Sequence, residues 1–494
     1  MTHQTLGGPA SLYTCIMEST QHTSASQQLA PVYTSVLDMI GNTPMVELSR
    51  LDTGQCRLFG KLELLNPAGS IKDRIGLSMI EAAERQGKLD PNGDPKPTIV
   101  EATAGNTGIG LALVAGQRGY DLKVVMPDKM SQEKVMHLRA MGAEVILTRS
   151  DVQKGHPDYY HEVAKRLADN TPNSFYISQF ENPANPAIHQ QATAAEMCAQ
   201  VRAATGKPVD AFVLGVGSGG TATGVGQHIK QHEPSARIIL ADPEGSILAP
   251  LINEGEEVQA GSWLVEGMGE DFVPAICDIE VFAEAVSVSD KDAFLAARKL
   301  LAKEGWLAGS STGCLIHAAE VWCQRQTEPL NVVTLICDSG AKYLSKFFND
   351  FWMIDNGFID REHHNDLRDL IARQHANRED ITAKPDDPIK QTFKSMQMYA
   401  VSQMAVLDRD ANVKGIIDES DILLAITADH AAFERPTEEF MTTRLETISP
   451  DAHIESLMPI FRADRVAIVV NADGSFLGLI TRTDMINHLR RQLL

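Results

Sequence analysis

The sequence lacks long apolar runs, paired cysteines and an excess of positive charge, and each absence excludes a class of protein. No apolar run reaches the roughly 18 residues that a membrane-spanning helix needs, and residues 1–30 lack the charged start and apolar core of a signal peptide. The 7 cysteines are scattered without a C-x-x-C pair, which argues against a disulfide framework and a zinc site. We therefore expect a cytoplasmic protein with reduced thiols, no membrane segment and no bound metal.

The charge balance of the chain is acidic. Its 494 residues include 65 Asp and Glu against 44 Lys and Arg, which gives a net charge of −21. Nucleic-acid binding requires a basic face, so we expect no nucleic-acid partner. A chain of this length with 43% hydrophobic residues is expected to form two or three domains with sizeable cores.

Strand and helix patterns alternate through residues 31–358. Strand patterns at 98–102 and 122–126 are separated by a helix pattern at 108–115, and the alternation resumes later in the chain. This order predicts an α/β fold in which helices cover both faces of parallel sheets. We interpret residues 31–358 as one core of two α/β subdomains, preceded by a flexible arm at 1–30.

A short unit occurs twice in the rest of the chain. Its two copies end in Gly415-Ile-Ile-Asp-Glu-Ser-Asp421 and Gly478-Leu-Ile-Thr-Arg-Thr-Asp484. A repeat of roughly 60 residues, each helix–strand–strand–helix, predicts two stacked α+β modules. We place them at about 381–435 and 436–494, after a charged linker at 359–380.

One lysine lies where a strand pattern changes to a helix pattern. Lys72 follows a turn at 66–71 and precedes a helix pattern at 75–83. The partial positive charge of a helix N-terminus lowers the pKa of a nearby amine, and a neutral amine is what Schiff-base chemistry requires. An isolated lysine at such a turn is more often a surface residue, so its role depends on the rest of the chain.

Two glycine-rich loops carry groups that bind anions. The loop 101–108 combines the side chains of Thr103, Asn106 and Thr107 with backbone N–H groups at a helix start, which suits a carboxylate and a ring hydroxyl. The loop 217–221 reads Gly-Ser-Gly-Gly-Thr between a strand and a helix, which suits a phosphate.

The second loop also permits a different interpretation. The pattern Gly215-x-Gly217-x-x-Gly220, with Asp242 at the end of the next strand, matches the dinucleotide-binding fingerprint. A lone match of this kind is weak, and it leaves Lys72 without a role.

A phosphate loop, an amine at a helix start and a carboxylate site together describe pyridoxal 5′-phosphate (PLP) chemistry. Over residues 31–358 the sequence resembles the fold-type II PLP-dependent enzymes of the cysteine synthase and cystathionine β-synthase group. The matching segments, in the family's order and spacing, are 67–74, 101–112, 217–221, 266–272 and 309–313. Residues 381–494 resemble the paired regulatory CBS domains (Bateman module) that often follow cystathionine β-synthase cores.

This resemblance implies a role for each loop. Lys72 would bind the cofactor as a Schiff base, Asn106 would donate to its phenolic oxygen and Ser311 would contact its pyridine nitrogen. The residues implied for the cofactor phosphate are Gly217, Ser218, Gly219, Gly220 and Thr221. The residues implied for the substrate carboxylate are Thr103, Ala104, Gly105 and Thr107, with Gln179 closing over it.

The implied reaction is the condensation of L-serine with L-homocysteine to cystathionine and water. Lys72 would act as the base, and cysteine in place of serine would release hydrogen sulfide. Two alternatives stay open: a cysteine synthase that uses O-acetylserine and sulfide, and a non-catalytic sensor of adenosyl ligands. Glu270 and Phe180 stand where some relatives have an aromatic residue and a tyrosine, so the second-substrate preference is also open.

The resemblance extends to partners of the tail and the arm. Asp421, Thr481 and Asp484 occupy positions where CBS domains bind adenosyl ligands, and S-adenosylmethionine is the ligand implied. Animal cystathionine β-synthases carry a haem on an N-terminal arm, but here Cys15 and His22 lack the surrounding pattern, so no haem is expected. The family suggests a homodimer or homotetramer.

Overall fold

The computed structural model describes residues 32–152 and 154–493, so the haem prediction for Cys15 and His22 lies outside the described residues. The strands of the N-terminal part are β1 (Met45–Glu47), β2 (Arg57–Lys61), β3 (Thr98–Ala102), β4 (Asp121–Pro127), β5 (Glu144–Thr148), β6 (Ser174–Tyr176), β7 (Ala211–Leu214), β8 (Arg237–Pro243), β9 (Phe282–Val288) and β10 (Asn331–Leu335). Its helices are α1 (Lys72–Arg85), α2 (Asn106–Arg118), α3 (Gln132–Ala140), α4 (Tyr160–Asn170), α5 (Ala184–Ile188), α6 (Ala194–Thr205), α7 (Gly220–His232), α8 (Leu248–Glu254), α9 (Asp290–Glu304), α10 (Ser310–Gln324) and α11 (Asp350–Asp355).

Two sheets organise this part of the molecule. One has the order β5-β4-β3-β6 and is entirely parallel, and the other has the order β1-β2-β10-β7-β8-β9 with only β1 antiparallel. In the centre of the larger sheet, Val333 pairs with Phe59 on one side and with Phe212 on the other. The predicted α/β architecture with two parallel sheets is confirmed.

The apolar composition of the central strands explains this arrangement. Every residue of β7 and β10 is buried, without the alternation expected of a strand that has one face in water. Strands of a parallel sheet are buried on both faces because the crossover helices cover them. Helices such as α9 and α10 supply that cover, with Phe294, Leu300 and Leu315 in the same core.

One helix predicted as continuous is divided in the structure. The sequence pattern at 187–203 predicts a single helix, whereas the structure has α5, a π-helical turn at His189–Thr193 and α6. The side chain of His189 is buried in this turn and contacts Thr221 on α7. A hydrogen bond to a residue 32 positions away is a tertiary constraint that the periodicity of the segment does not contain.

The C-terminal part contains the predicted repeat. Its strands are β11 (Thr382–Ala383), β12 (Gln403–Leu407), β13 (Val413–Asp418), β14 (Thr447–Ile448), β15 (Ala467–Val470) and β16 (Phe476–Ile480), and its helices are α12 (Ile389–Tyr399), α13 (Glu419–Ala428), α14 (Leu457–Arg462) and α15 (Arg482–Leu493). Each copy has a three-stranded sheet. The two sheets meet through Ala405 and Leu407 of one copy and Ile468 and Phe476 of the other.

The segment predicted as a charged linker contributes to a hydrophobic core. Leu367, Leu370 and Ile371 are buried and pack with Leu457 and Phe461 of the second copy. Their spacing of three and four residues places them on one side of a short helical turn. Residues 367–371 thereby tie the end of the N-terminal part to the second repeat.

Candidate active site

A cavity of about 300 Å³ lies beyond the carboxyl ends of β3, β7 and β10. This is the place where open α/β sheets bind ligands, because the loops that follow the strands converge there. The predicted site residues that line the cavity are Lys72, Thr103, Ala104, Asn106, Thr107, Gln179, Gly217, Ser218, Thr221 and Ser311. Gly105, Gly219 and Gly220 lie in the same loops but outside the lining.

Lys72 begins α1 and is partly accessible from the cavity. Burial lowers the pKa of Lys72, while the negative charge of Asp338 opposes that effect. Desolvation is the larger cause because the amine is surrounded by protein atoms. The structure therefore places a lysine with a lowered pKa at the centre of the site.

The loop at 217–221 has the geometry of an anion site. Gly219 has φ +82°, and it precedes the first turn of α7, which no side chain of the described residues caps. The N–H groups of an uncapped first turn have no partner within the helix and attract an anion. A Cβ on Gly220 would lie 1.9 Å from Asn185 Oδ1, so this position has room only for glycine.

The loop after β3 forms a second polar surface of the cavity. The Thr107 hydroxyl donates to Gln179 Oε1 at 2.7 Å, and Gln179 Nε2 donates to the Ala102 carbonyl at 3.2 Å. The Thr103 hydroxyl accepts from the Gly105 amide at 3.0 Å. The structure thus brings together residues that are more than 70 positions apart in the sequence.

Asn106 and Ser311 line the cavity from the N-terminal ends of two helices, α2 and α10. Asn106 Nδ2 donates to Asp338 Oδ2 at 2.8 Å, and Asn106 Oδ1 accepts from Lys342 Nζ at 2.9 Å. Ser311 lies in the first turn of α10, and the thiol of the nearby Cys337 donates to the Leu335 carbonyl at 3.9 Å. Burial raises the pKa of the Cys337 thiol to about 12, so it is uncharged at neutral pH.

Sequence reasoning missed several residues around these loops. They are Asn185, His189, Cys337, Asp338 and Lys342. Cys337, Asp338 and Lys342 follow β10. Residues just beyond the carboxyl end of a buried parallel strand often form part of a binding site, so the sequence contained a signal that could have identified these three. Asn185 Nδ2 donates to Ser218 Oγ at 2.9 Å and to the Gln179 carbonyl at 2.8 Å.

Asp242 does not occupy the position of a ribose-binding acid. It is fully buried, and its Oδ2 accepts from the Ala249 amide at 2.9 Å in the first turn of α8. Burial raises the pKa of Asp242 to about 6. Its contact with the start of α8 gives it a structural role. The dinucleotide-binding interpretation therefore loses the acidic residue that would bind the ribose.

The predicted regulatory residues lie on both copies of the repeat. Asp484 Oδ2 accepts from the backbone N–H and the hydroxyl of Thr481 at 2.7 and 2.6 Å, whereas Asp421 lies in the first copy and accepts from the Asp418 amide. Asp484 also lines a second cavity of about 190 Å³, together with Asp355 and Arg491. The structure does not bring Asp421 to this cavity.

Two structural absences concern residues 32–152 and 154–493 alone. No group of three or more His, Cys, Asp or Glu side chains in these ranges is placed to hold a metal ion. In the same ranges, no helix has the length and apolar character needed to cross a membrane.

Comparison with protein families assigns both parts of the chain. Residues 36–338 match the family described as pyridoxal-phosphate dependent enzyme. The chain belongs to the pyridoxal-phosphate dependent enzymes. Residues 368–428 and 438–491 each match the CBS domain. The predictions of a fold-type II PLP-dependent enzyme, of PLP as its cofactor and of a paired CBS tail are therefore confirmed.

The relatives of this PLP-dependent enzyme extend over both parts. The chain is 34% identical to a cystathionine beta-synthase of Dictyostelium discoideum over 92% of each chain. It is 35% identical to the rabbit (Oryctolagus cuniculus) cystathionine beta-synthase, over 94% of this chain and 84% of the relative.

Solved structures resemble the N-terminal part. A hydrogen sulfide-producing enzyme of Fusobacterium nucleatum is 38% identical, with a TM-score of 0.58 over 63% of this chain and 100% of its own. An O-acetylserine dependent cystathionine beta-synthase of Helicobacter pylori is 37% identical, with a TM-score of 0.57 over 64% of this chain and 99% of its own.

The residues around the cavity fit PLP. Lys72 presents an amine with a lowered pKa for the aldehyde carbon, and the uncapped start of α7 presents N–H donors for the phosphate. Asn106 Nδ2 has two N–H groups; one donates to Asp338, and the other is available to a further acceptor. The aldehyde, the phosphate and the phenolic oxygen of PLP therefore each have a chemically suitable group among these residues.

Proposed function

We propose that this enzyme condenses L-serine with L-homocysteine to give L-cystathionine and water, by β-replacement. The observation that carries the proposal is one cavity in which Lys72, the 103–107 loop, the 217–221 loop and Ser311 converge. The cystathionine beta-synthase relatives, which share both parts of the chain, support the choice of substrates. Cysteine in place of serine would release hydrogen sulfide at the same site.

PLP, when bound, supplies an electron sink for the negative charge that forms at the substrate Cα. Lys72 Nζ takes the proton from Cα and later returns it, because a lowered pKa favours the neutral amine that can act as a base. The hydroxyl of Ser311, a neutral group, would contact the pyridine nitrogen. A neutral partner leaves that nitrogen unprotonated, which favours loss of the β-substituent over transamination.

The loop after β3 orients the first substrate. Thr103, Ala104, Gly105 and Thr107 would hold its carboxylate against the N-terminus of α2, where backbone N–H groups and the helix dipole favour an anion. Gln179 is already fixed by Thr107 through a 2.7 Å hydrogen bond, so this surface requires little reorganisation. A fixed carboxylate directs the Cα–H bond toward Lys72.

Glu270 supports an amino-acid thiol as the second substrate. Its side chain lines the cavity at 9% exposure, and no hydrogen bond from the described residues reaches its carboxyl oxygens. Burial raises the pKa of Glu270 well above its usual range, and the charges of Asp271 and Asp242 add to this effect. The ammonium of homocysteine would supply the missing partner, whereas sulfide has no such group.

The CBS tail would bind an adenosyl ligand such as S-adenosylmethionine. Asp484 uses Oδ2 for Thr481, which leaves Oδ1 for a ribose hydroxyl, and the 190 Å³ cavity lies beside it. Asp421 is the corresponding acid of the first copy. Calorimetry of the full chain with S-adenosylmethionine tests this assignment, and an absence of heat with any adenosyl ligand would contradict it.

The substrate pair is tested by offering the purified enzyme serine or O-acetylserine, each with homocysteine or sulfide. We expect the highest kcat/KM for serine with homocysteine, with cystathionine as the product. A preference for O-acetylserine and sulfide, with cysteine as the product, would select cysteine synthase instead. No turnover with any pair would select the non-catalytic sensor.

A further inference from the structure

The side-chain amide of Asn106 is held at both ends by charged residues that follow β10. Lys342 Nζ donates to Asn106 Oδ1 at 2.9 Å, and Asn106 Nδ2 donates to Asp338 Oδ2 at 2.8 Å. An ammonium can only donate and an ionised carboxylate can only accept. The chemistry of the two neighbours therefore decides which end of the amide carries the oxygen.

The contacts of Lys342 select its charged form. Its Nζ lies within hydrogen-bond distance of three oxygens: Asn106 Oδ1, the Ala68 carbonyl at 3.2 Å and the Gly69 carbonyl at 3.1 Å. An ammonium has three N–H donors, so all three contacts are satisfied, whereas a neutral amine would turn its lone pair toward one of the oxygens. Burial lowers the pKa of Lys342, and the charges of Asp338 and Asp73 act in the opposite direction.

Asp338 is fixed as firmly as Lys342. Its Oδ2 accepts from the Tyr343 hydroxyl at 2.7 Å in addition to Asn106, and the residue is fully buried. Its Oδ1 is buried without a hydrogen-bond partner among the described residues, in the space that a Cβ on Gly309 would fill. Both groups that hold the amide are thus part of the packed protein and need no ligand to position them.

We propose that Lys342 and Asp338 are positioning residues that lock the Asn106 amide with one N–H free for the phenolic oxygen of PLP. This inference rests on the role proposed for Asn106. If the amide turned end for end, its Oδ1 would face the phenolic oxygen, and two acceptors would repel each other. The pairing of an ammonium with Oδ1 and a carboxylate with Nδ2 prevents that turn.

The test uses the resting holoenzyme without substrate, so its outcome does not depend on which reaction the enzyme catalyses. Four variants are compared: Lys342→Met, Lys342→Arg, Asn106→Ala and the double variant Lys342→Met/Asn106→Ala. The two measurements are the dissociation constant of PLP and the visible absorption of the bound cofactor, which responds to the hydrogen bond at its phenolic oxygen. Lys299→Met, at an exposed lysine that pairs with Glu320, is the matched control.

We expect Lys342→Met and Asn106→Ala each to weaken PLP binding about tenfold or more and to change the absorption in the same way. Lys342→Arg should retain part of the PLP affinity and part of the original absorption, because arginine keeps a hydrogen-bond donor at this position. In the Asn106→Ala background, Lys342→Met should have less than about a twofold further effect, since the amide through which it acts is gone.

Two results would overturn the proposal. One is an unchanged spectrum and affinity in Lys342→Met. The other is an effect of the same size with and without the Asn106 amide, which would mean that Lys342 supports the fold rather than Asn106. If Lys342→Met does not fold, Lys342→Leu provides the same comparison, because its side chain also has no hydrogen-bond donor.

Discussion

Arg491, on the last helix of the CBS tail, forms a 3.0 Å ion pair with Asp355, on the last helix of the catalytic part. Arg490 adds a hydrogen bond from its guanidinium to the Asp355 carbonyl at 3.1 Å. The same ion pair lines the cavity that contains Asp484, the residue that we propose binds the adenosyl ligand. The ion pair between Asp355 and Arg491 is thus a direct contact through which ligand binding to the CBS tail would influence the N-terminal part.

This contact leads to a prediction about regulation. Asp355→Asn should lower the free energy of unfolding by less than about 1 kcal/mol, because the pair is partly exposed. It should nevertheless reduce the change in turnover that an adenosyl ligand causes. The measurement is cystathionine formation with and without S-adenosylmethionine, with Glu434→Gln, which removes an exposed ion pair to Lys390, as the control. A response identical to that of the unmodified enzyme would show that Asp355 takes no part.

Removal of the Lys72 amine should abolish catalysis. Lys72→Ala is expected to lower kcat by at least about 10³-fold, because no other amine is assigned to the Cα proton. The variant should keep its fold, since Lys72 forms no ion pair with any residue in 32–152 or 154–493, and α1 is held by buried residues such as Ile75 and Met79. Lys303→Ala, at an exposed lysine of α9, serves as the comparison. Substantial turnover by Lys72→Ala would refute the assigned role.

The phosphate loop should tolerate no side chain at Gly220. In Gly220→Ala the new methyl group would meet Asn185 Oδ1 at 1.9 Å, so either the loop or Asn185 must move. We expect PLP to bind at least about tenfold more weakly. Gly116→Ala is a matched control, because a Cβ there has no neighbour within 4 Å and alanine favours the α2 helix. Equal PLP affinity of the two variants would contradict the assignment.

Glu270 should discriminate between the two classes of second substrate. A substrate ammonium beside Glu270 would favour the ionised carboxylate, and Glu270→Gln cannot form that charge. The KM for homocysteine should therefore rise about tenfold. Turnover with sulfide should stay the same or increase, because sulfide has no ammonium. Glu280→Gln changes an exposed glutamate and should alter neither value. Equal losses with homocysteine and sulfide would indicate that Glu270 only supports the shape of the cavity.

The buried Glu101 should make the stability of the fold depend on pH between 4.5 and about 8. Burial raises the pKa of Glu101 from 4.5 to about 8, so the folded protein holds a proton that the unfolded chain releases in that range. The free energy of unfolding should therefore fall as the pH rises from 4.5 to about 8. Glu101→Gln should flatten this fall by on the order of a few kcal/mol, measured by denaturant unfolding at several pH values. Glu328→Gln, at an exposed site, is the control and should keep the pH dependence of the unmodified protein. The same pH dependence in Glu101→Gln would contradict the argument.

The sequence by itself determined the class of fold and the family. Short apolar strands alternating with helices require a parallel sheet, and loops such as 101–108 and 217–221 carry their chemistry in residue types and spacing. These signals are local, so they could be found without coordinates.

Only the tertiary structure decided how distant groups meet. Lys342 holds an amide 236 positions away, and a π-helical turn places His189 against Thr221 of the phosphate loop. The residues 367–371, charged enough to suggest a linker, are partly buried in the second CBS copy. Such contacts depend on which surfaces pack together, and packing is set by the whole chain rather than by any local pattern.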